Sequence, residues 1–110
     1  MKALVTGAAG RIGSRLIDAL LANGHEVWGL DLRSTDRIGA DYRGITGPLQ
    51  DSDVVNSAAD GVEVIFHLGA LMSWAPEDKA AMFESNVEGT RILLEAAAAA
   101  GVLRFIFASS

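Results

Sequence analysis

Hydrophobic residues follow two patterns that alternate along the chain. Residues 2–6 form an apolar run too short for a helix, whereas apolar positions in residues 11–23 recur every three or four residues before the helix-ending Asn23-Gly24. The same patterns predict further strands at residues 25–31, 44–46, 62–68 and 103–108, and further helices at residues 51–59 and 77–100, the last with a bend near Ser85-Asn86. Strands that alternate with helices predict an α/β fold with a parallel sheet.

The first predicted strand runs into three glycines that are spaced three residues apart. Gly7 would allow a sharp turn, Gly10 would let backbone N–H groups approach a pyrophosphate, and Gly13 would let the following helix press against the strand. The free N–H groups and the positive dipole at a helix start bind phosphate without a basic side chain. An ordinary strand-to-helix turn uses glycines in the same way, so this pattern alone leaves both interpretations open.

A carboxylate at the end of the second strand favours the nucleotide-binding interpretation. Asp31 lies eighteen residues after Gly13, where a dinucleotide site places an acid on the adenosine ribose. A triphosphate-binding loop would instead need Gly-Lys-Ser or Gly-Lys-Thr, and Gly13 is followed by Ser14-Arg15. The sequence therefore predicts a dinucleotide site.

Composition excludes several other classes of protein. Fourteen acidic and nine basic residues give a net charge of −5 without a basic cluster, so no nucleic-acid partner is expected. There are no cysteines and only two histidines, so no metal site is expected, and His67 is predicted to pack at a strand end. No leader or long apolar run is recognised, which predicts a cytoplasmic protein without a membrane partner.

Five segments, taken in order, carry a resemblance to a known family. They are residues 6–13, Asp31, His67-Leu-Gly-Ala70, Asn86-Val-Glu-Gly-Thr90 and Phe105-Ile-Phe-Ala-Ser-Ser110. Together they resemble the NAD-dependent epimerase/dehydratase group of the extended short-chain dehydrogenase/reductases. The resemblance implies a Rossmann-type doubly wound sheet with strand order 3-2-1-4-5. Residues 1–110 would be the N-terminal part of an NAD(P)-binding domain, ahead of later strands and a substrate domain.

The resemblance also implies a role for each matched residue. The residues expected to hold the pyrophosphate are Gly7, Gly10, Arg11, Ile12 and Gly13. Asp31 would bind the adenosine ribose, and Leu49 would contact adenine, although Pro48 replaces the acidic residue that usually precedes it. The residues expected beside the nicotinamide half are Leu68, Gly69 and Ala70. Asn86 would steady the end of strand four, or else bond its own helix. Ser110 occupies the position of the family's catalytic Ser or Thr, which hydrogen-bonds the substrate.

The family's general base is missing from this chain. It is a Tyr with a Lys four residues later, but the only tyrosine is Tyr42, and neither lysine, Lys2 or Lys79, follows it at that spacing. A phenol with a pKa near 10 needs the lysine to work near neutral pH. We therefore expect this chain to be the N-terminal part of a longer enzyme.

The implied activity is hydride transfer between NAD and a secondary alcohol of a sugar, sugar acid or nucleotide sugar, in a parent enzyme that is a homodimer. NAD is expected over NADP because Asp31 would repel a 2′-phosphate. Arg33 and Arg37 are the cations that would oppose this preference. The alternative is a non-catalytic NAD(P)-binding sensor.

Overall fold

Five parallel strands form one sheet in the computed structural model, which describes residues 1–108. The strands are β1 (Lys2–Thr6), β2 (Glu26–Asp31), β3 (Tyr42–Thr46), β4 (Val64–His67) and β5 (Arg104–Phe107). They lie in the order β3-β2-β1-β4-β5, which confirms the predicted order. In the centre, Val5 of β1 lies opposite Gly29 of β2 and Phe66 of β4. The connections leave this point in opposite directions, which opens a crevice at the carboxyl ends of β1 and β4.

Helices lie in three of the four connections between strands, whereas residues 32–41 join β2 to β3 without a helix. Helix α1 (Arg11–Ala22) follows β1, and α2 (Ser52–Ala59) begins after Asp51, whose carboxylate caps it by accepting from two backbone N–H groups. The segment before β5 contains a 3₁₀ turn (Pro76–Asp78), α3 (Lys79–Phe83), a π-helical turn (Glu84–Glu88) and α4 (Gly89–Ala100). Gly101, at φ 72°, ends α4 in the left-handed conformation that glycine favours. None of these helices is both long and apolar enough to cross a membrane, a statement that covers residues 1–108.

Alternate residues of each strand point to two separate apolar clusters. On one face, Leu4 and Ile65 are fully buried in a cluster that includes residues of α2 and α4. On the other, Val5 and Val27 are buried in a cluster that includes residues of α1. The cover is thinner over β5, where Ile106 is 45% exposed and Phe107 55% exposed. The edge of the sheet at β5 is therefore less completely covered than its centre.

Two elements differ from the predicted ones. Strand β3 begins at Tyr42 rather than Gly44, because Tyr42 is buried and pairs in register with Val27 although it follows a charged, aperiodic stretch. The helix predicted over residues 77–100 begins as a 3₁₀ turn, and the bend expected near Ser85-Asn86 is a π-helical turn in which the Gly89 N–H donates to the Glu84 carbonyl oxygen. That extra residue per turn has no signature in hydrophobic spacing.

Candidate cofactor-binding site

A cavity of about 750 Å³ opens at the carboxyl edge of the sheet, beside the point where the strand order reverses. Open α/β sheets bind their ligands at this position. Ten of the predicted cofactor-binding residues line it, namely Gly7, Gly10, Arg11, Ile12, Gly13, Asp31, Leu49, Leu68, Gly69 and Ala70. Asn86 does not line the cavity, and Ser110 lies outside the described residues.

The first N–H groups of the loop between β1 and α1 donate hydrogen bonds to other residues of the protein. Those of Gly7 and Ala8 donate to the Leu30 carbonyl oxygen, at 2.9 and 3.3 Å. That of Ala9 donates to Asp31 Oδ2 at 2.9 Å. The loop is thus tied to the end of β2 before the helix begins.

The Gly10 N–H donates to the Gly7 carbonyl oxygen at 3.0 Å, but the three N–H groups that follow it are available to a ligand. Helix α1 starts after Gly10, which offers no side-chain cap. The N–H groups of Arg11, Ile12 and Gly13 donate to no other group within residues 1–108. Because these residues line the cavity and stand at the positive end of the helix dipole, the arrangement fits an anion such as a pyrophosphate.

At two positions of this loop, neighbouring backbone atoms come so close that only glycine fits. Gly7 has φ +74°, and a Cβ there would lie 2.9 Å from the Gly69 nitrogen, so the loop passes directly against the end of β4. A Cβ on Gly13 would overlap the Gly7 carbonyl oxygen. A Cβ on Gly10 would meet only that same oxygen, at 3.2 Å. The space next to Gly10 is therefore open to a ligand rather than filled by protein.

Asp31 is held by hydrogen bonds on both of its carboxylate oxygens. Oδ2 accepts from the Ala9 N–H, and Oδ1 accepts from the Arg33 N–H at 3.0 Å. Each oxygen keeps further acceptor capacity. Since Asp31 also lines the cavity, its carboxylate can accept from ribose hydroxyls in a fixed orientation.

The two arginines after Asp31 have different surroundings. Arg37 forms an ion pair with Asp18 of α1 and donates to the Ser14 carbonyl oxygen at 3.1 Å. Arg33 lines the cavity beside Asp31. The contacts of Arg37 hold its charge against α1, whereas Arg33, of these two arginines, is the one that lines the cavity.

The other end of the cavity is built by side-chain hydrogen bonds. Thr6 Oγ1 accepts from the N–H groups of Leu68 and Gly69, at 3.1 and 3.0 Å. The Asn86 amide donates to the Leu71 carbonyl oxygen and accepts from the Leu71 N–H, both at 2.8 Å. Asn86 thus steadies the segment after β4 and does not bond its own helix. The wall formed by residues 68–71, here called the β4 wall, is fixed at both ends.

His67 lies behind the β4 wall and is 1% exposed. Its Nδ1 is 2.7 Å from Thr6 Oγ1, its Nε2 is 2.8 Å from Thr90 Oγ1, and its ring packs against Phe105 and Phe107. Burial lowers the pKa of His67 to about 4, so the ring is neutral at pH 7. His67 packs at the strand end, as predicted, but its two hydrogen bonds were not foreseen. Among residues 1–108, no three potential metal ligands lie together.

Several residues that line the cavity were not predicted from the sequence. They are Thr6, Leu30, Leu32, Gly47, Gln50, Leu71, Ala81, Ser85 and Ala108. Thr6 and Leu30 could have been found, because each lies at the carboxyl end of a central strand. Ala81 and Ser85 had no such signal, since only the docking of the helical segment brings them to the cavity. Leu49 reaches the cavity where Gly89 allows α4 to pass close to it.

Tyr42, the only tyrosine of the chain, is not part of this cavity. Its side chain is buried beneath Gly29, and its hydroxyl lies 3.2 Å from Thr35 Oγ1. It therefore has a packing role in the sheet.

Comparison with known proteins agrees with this geometry. A family model described as the NAD dependent epimerase/dehydratase family matches residues 3–110. The chain belongs to this family. It also shares the Rossmann-type fold of the short-chain dehydrogenase/reductases, since solved structures of that superfamily superpose on the whole chain.

Two relatives show the range of activities. A UDP-glucose 4-epimerase of Mycolicibacterium smegmatis is 40% identical, over 100% of this chain and 39% of the relative. A 3 beta-hydroxysteroid dehydrogenase/Delta 5→4-isomerase of Mycobacterium tuberculosis is 38% identical, over 99% of this chain and 31% of the relative. The chain therefore spans about a third of the length of these curated relatives.

Two solved structures contain the cofactor. A short-chain dehydrogenase/reductase superfamily protein from Agrobacterium tumefaciens with bound NAD has a TM-score of 0.92 and 50% identity, over 100% of this chain and 33% of that one. A mutant of uronate dehydrogenase from Agrobacterium tumefaciens, complexed with NAD, has a TM-score of 0.89 and 33% identity, over 99% of this chain and 40% of that one.

Proposed function

We propose that this chain binds NAD and supplies the cofactor site of an oxidoreductase or epimerase that acts by hydride transfer. The observation that carries the proposal is the group of three N–H donors at the start of α1, which face a cavity beside a fixed carboxylate. The donors would hold the pyrophosphate, Asp31 would hold the adenosine ribose, and the β4 wall would lie beside the nicotinamide half. Bound NAD would supply the hydride acceptor.

The proposed substrate is a secondary alcohol of a sugar, sugar acid or nucleotide sugar. Support comes from relatives that include a UDP-glucose 4-epimerase and a uronate dehydrogenase. A steroid dehydrogenase is similarly close to this chain, so the cofactor half by itself favours no single substrate. A homodimeric parent and a cytoplasmic location stay predictions.

The second candidate function is a nucleotide-binding sensor, which would use the same NAD site without a Tyr-x-x-x-Lys pair; the 110 residues contain no such pair. The reading frame after Ser110 distinguishes the two. A Tyr-x-x-x-Lys encoded there would support the enzyme. For the 110-residue chain itself we expect NAD binding without turnover, because no general base of this type is present.

Calorimetric titration with NAD tests the binding site directly. We expect Gly10→Val to weaken binding by about 100-fold, or about 2.7 kcal/mol, because its side chain would occupy the space proposed for the pyrophosphate. The matched control is Gly39→Val, since a Cβ on Gly39 meets no atom within 4 Å. Equal NAD affinity for these two variants would contradict the proposed pyrophosphate site.

A further inference from the structure

The hydrogen bonds of Thr6 determine the proton positions on His67. Thr6 Oγ1 accepts from the N–H groups of Leu68 and Gly69, which uses both of its lone pairs. Its single proton must therefore be donated to His67 Nδ1, 2.7 Å away. Nδ1 accepts this bond and carries no proton.

The hydrogen bonds on the other side of the His67 ring have the same donor-to-acceptor order. In the neutral ring, an unprotonated Nδ1 places the proton on Nε2, which donates to Thr90 Oγ1 at 2.8 Å. The Thr90 hydroxyl in turn donates to the Asn86 carbonyl oxygen at 2.6 Å. A single oriented chain of hydrogen bonds thus runs from the β4 wall through β1 and His67 to the π-helical turn.

We propose that His67, as its Nε2–H tautomer, is a positioning residue that sets the β4 wall against the nicotinamide half of the cofactor. The proposal rests on the proposed NAD site. His67 lies at the centre of the hydrogen-bond chain, so it couples two supports of the wall, Thr6 at Leu68 and Gly69 and the turn that carries Asn86. The Asn86 side chain holds Leu71 from that turn.

A second proton on the ring would break this arrangement. An Nδ1–H would need a lone pair of Thr6, so Thr6 would release the N–H of Leu68 or Gly69. The groups that hydrogen-bond to the ring or pack an aromatic ring against it are Thr6 of β1, Phe105 and Phe107 of β5, and Thr90 of α4, and none of them carries a charge. No contact described for residues 1–108 therefore compensates a protonated His67.

The tautomer is tested first, in the free chain and without any ligand. Long-range ¹H–¹⁵N NMR spectra at pH 7 should show His67 protonated at Nε2 and unprotonated at Nδ1. A ring protonated at Nδ1, or at both nitrogens, would overturn the proposal. This measurement does not depend on whether the chain binds NAD.

The positioning role is tested with Thr90→Val, which removes the acceptor for Nε2–H at a residue that does not line the cavity. We expect NAD affinity to fall about tenfold and ADP-ribose affinity by less than twofold, because ADP-ribose lacks only the nicotinamide. Thr90→Ser keeps the hydroxyl and should restore the wild-type ratio of the two affinities. An equal loss of affinity for both ligands, or no loss of affinity for either, would overturn the positioning role.

The same titrations separate this proposal from the proposed function. If the wild-type chain bound neither NAD nor ADP-ribose, the NAD site itself would be wrong, and the positioning role would fall with it. If both ligands bound and Thr90→Val did not change their ratio, only the role of His67 would be wrong.

Discussion

The two ends of the cavity are built in different ways. At the end proposed for the pyrophosphate, here called the pyrophosphate end, the donors are backbone N–H groups of three consecutive residues, and glycines allow the loop to fit between β1, β4 and α1. At the end proposed for the nicotinamide, here called the nicotinamide end, the side chains of Thr6 and Asn86 hold the β4 wall, and His67 bonds to Thr6; the three residues come from separate elements. One end depends on local chain geometry and the other on contacts between distant segments.

This difference predicts two kinds of sensitivity. Backbone geometry tolerates changes of pH, because no titrating group is required, but it does not tolerate an added Cβ at the close contacts. A buried side-chain network tolerates small changes in volume elsewhere, but it depends on the protonation state of each member. Substitutions and pH changes should therefore affect the two ends selectively.

The largest effect is expected from Gly13→Ala. A Cβ there would overlap the Gly7 carbonyl oxygen, and neither backbone segment can move without separating α1 from β1. We expect a loss of about 3 kcal/mol or more in the free energy of unfolding, despite a gain of about 1 kcal/mol in helix propensity. Urea unfolding followed by circular dichroism measures this loss.

Gly10→Ala is the matched control at the same loop. Its Cβ would meet only the Gly7 carbonyl oxygen, at 3.2 Å, so we expect less than about 1 kcal/mol of destabilisation. If the two alanine variants unfolded at the same urea concentration, the close packing of α1 on this loop would not be what requires glycine.

The second effect concerns the nicotinamide end and acid pH. The pKa of His67 is lowered to about 4 in the folded chain, against 6.5 when unfolded, so between these values the unfolded state binds the extra proton. The stability that comes from keeping His67 buried and neutral is therefore complete above about pH 6.5 and is lost as the pH falls towards 4. The shift corresponds to about 3 kcal/mol.

Urea unfolding between pH 4 and pH 7 measures this dependence. We expect the free energy of unfolding of the wild type to fall more steeply with acid than that of His67→Asn, which carries no titrating group at this position. Other groups titrate equally in both proteins, so the difference between the curves isolates His67. Parallel curves would show that its ring is not held neutral.

The sequence predicted the pyrophosphate end far better than the nicotinamide end. Gly7, Gly10 and Gly13 lie within seven consecutive positions, and their spacing predicts a tight turn between a strand and a helix. The alternation of strands and helices predicted a parallel sheet, and the order of its strands was implied by the family resemblance.

The nicotinamide end could not be predicted in the same way. Thr6 and His67 are 61 positions apart, and His67 and Thr90 are 23 apart, so their hydrogen bonds exist only after the sheet and α4 have assembled. The motif that contains Asn86 and Thr90 was identified from the resemblance, but no role was given to Thr90. Hydrophobic spacing also carries no signal for the π-helical turn that places both residues.

The third effect concerns cofactor preference at the adenosine ribose. The Asp31 carboxylate would repel a 2′-phosphate, and Arg33 lines the same part of the cavity. We expect Asp31→Asn to lower the preference for NAD over NADP about tenfold, or about 1.4 kcal/mol, because it removes the charge and retains an acceptor. Parallel titrations with both cofactors measure the ratio. Tighter binding of NADP by the wild type would show that the role given to Asp31 is wrong.

The smallest effect is expected from Asp18→Asn, which distinguishes the contribution of Arg37 to NADP affinity from that of Arg33. Asp18 is largely exposed, so its ion pair with Arg37 should contribute no more than about 1 kcal/mol to folding. Arg37 would keep its bond to the Ser14 carbonyl oxygen. NADP affinity should therefore rise less than about threefold, and the rise should vanish at high salt, where exposed charges are screened. A rise above tenfold would instead make Arg37, rather than Arg33, the main cation available to a 2′-phosphate.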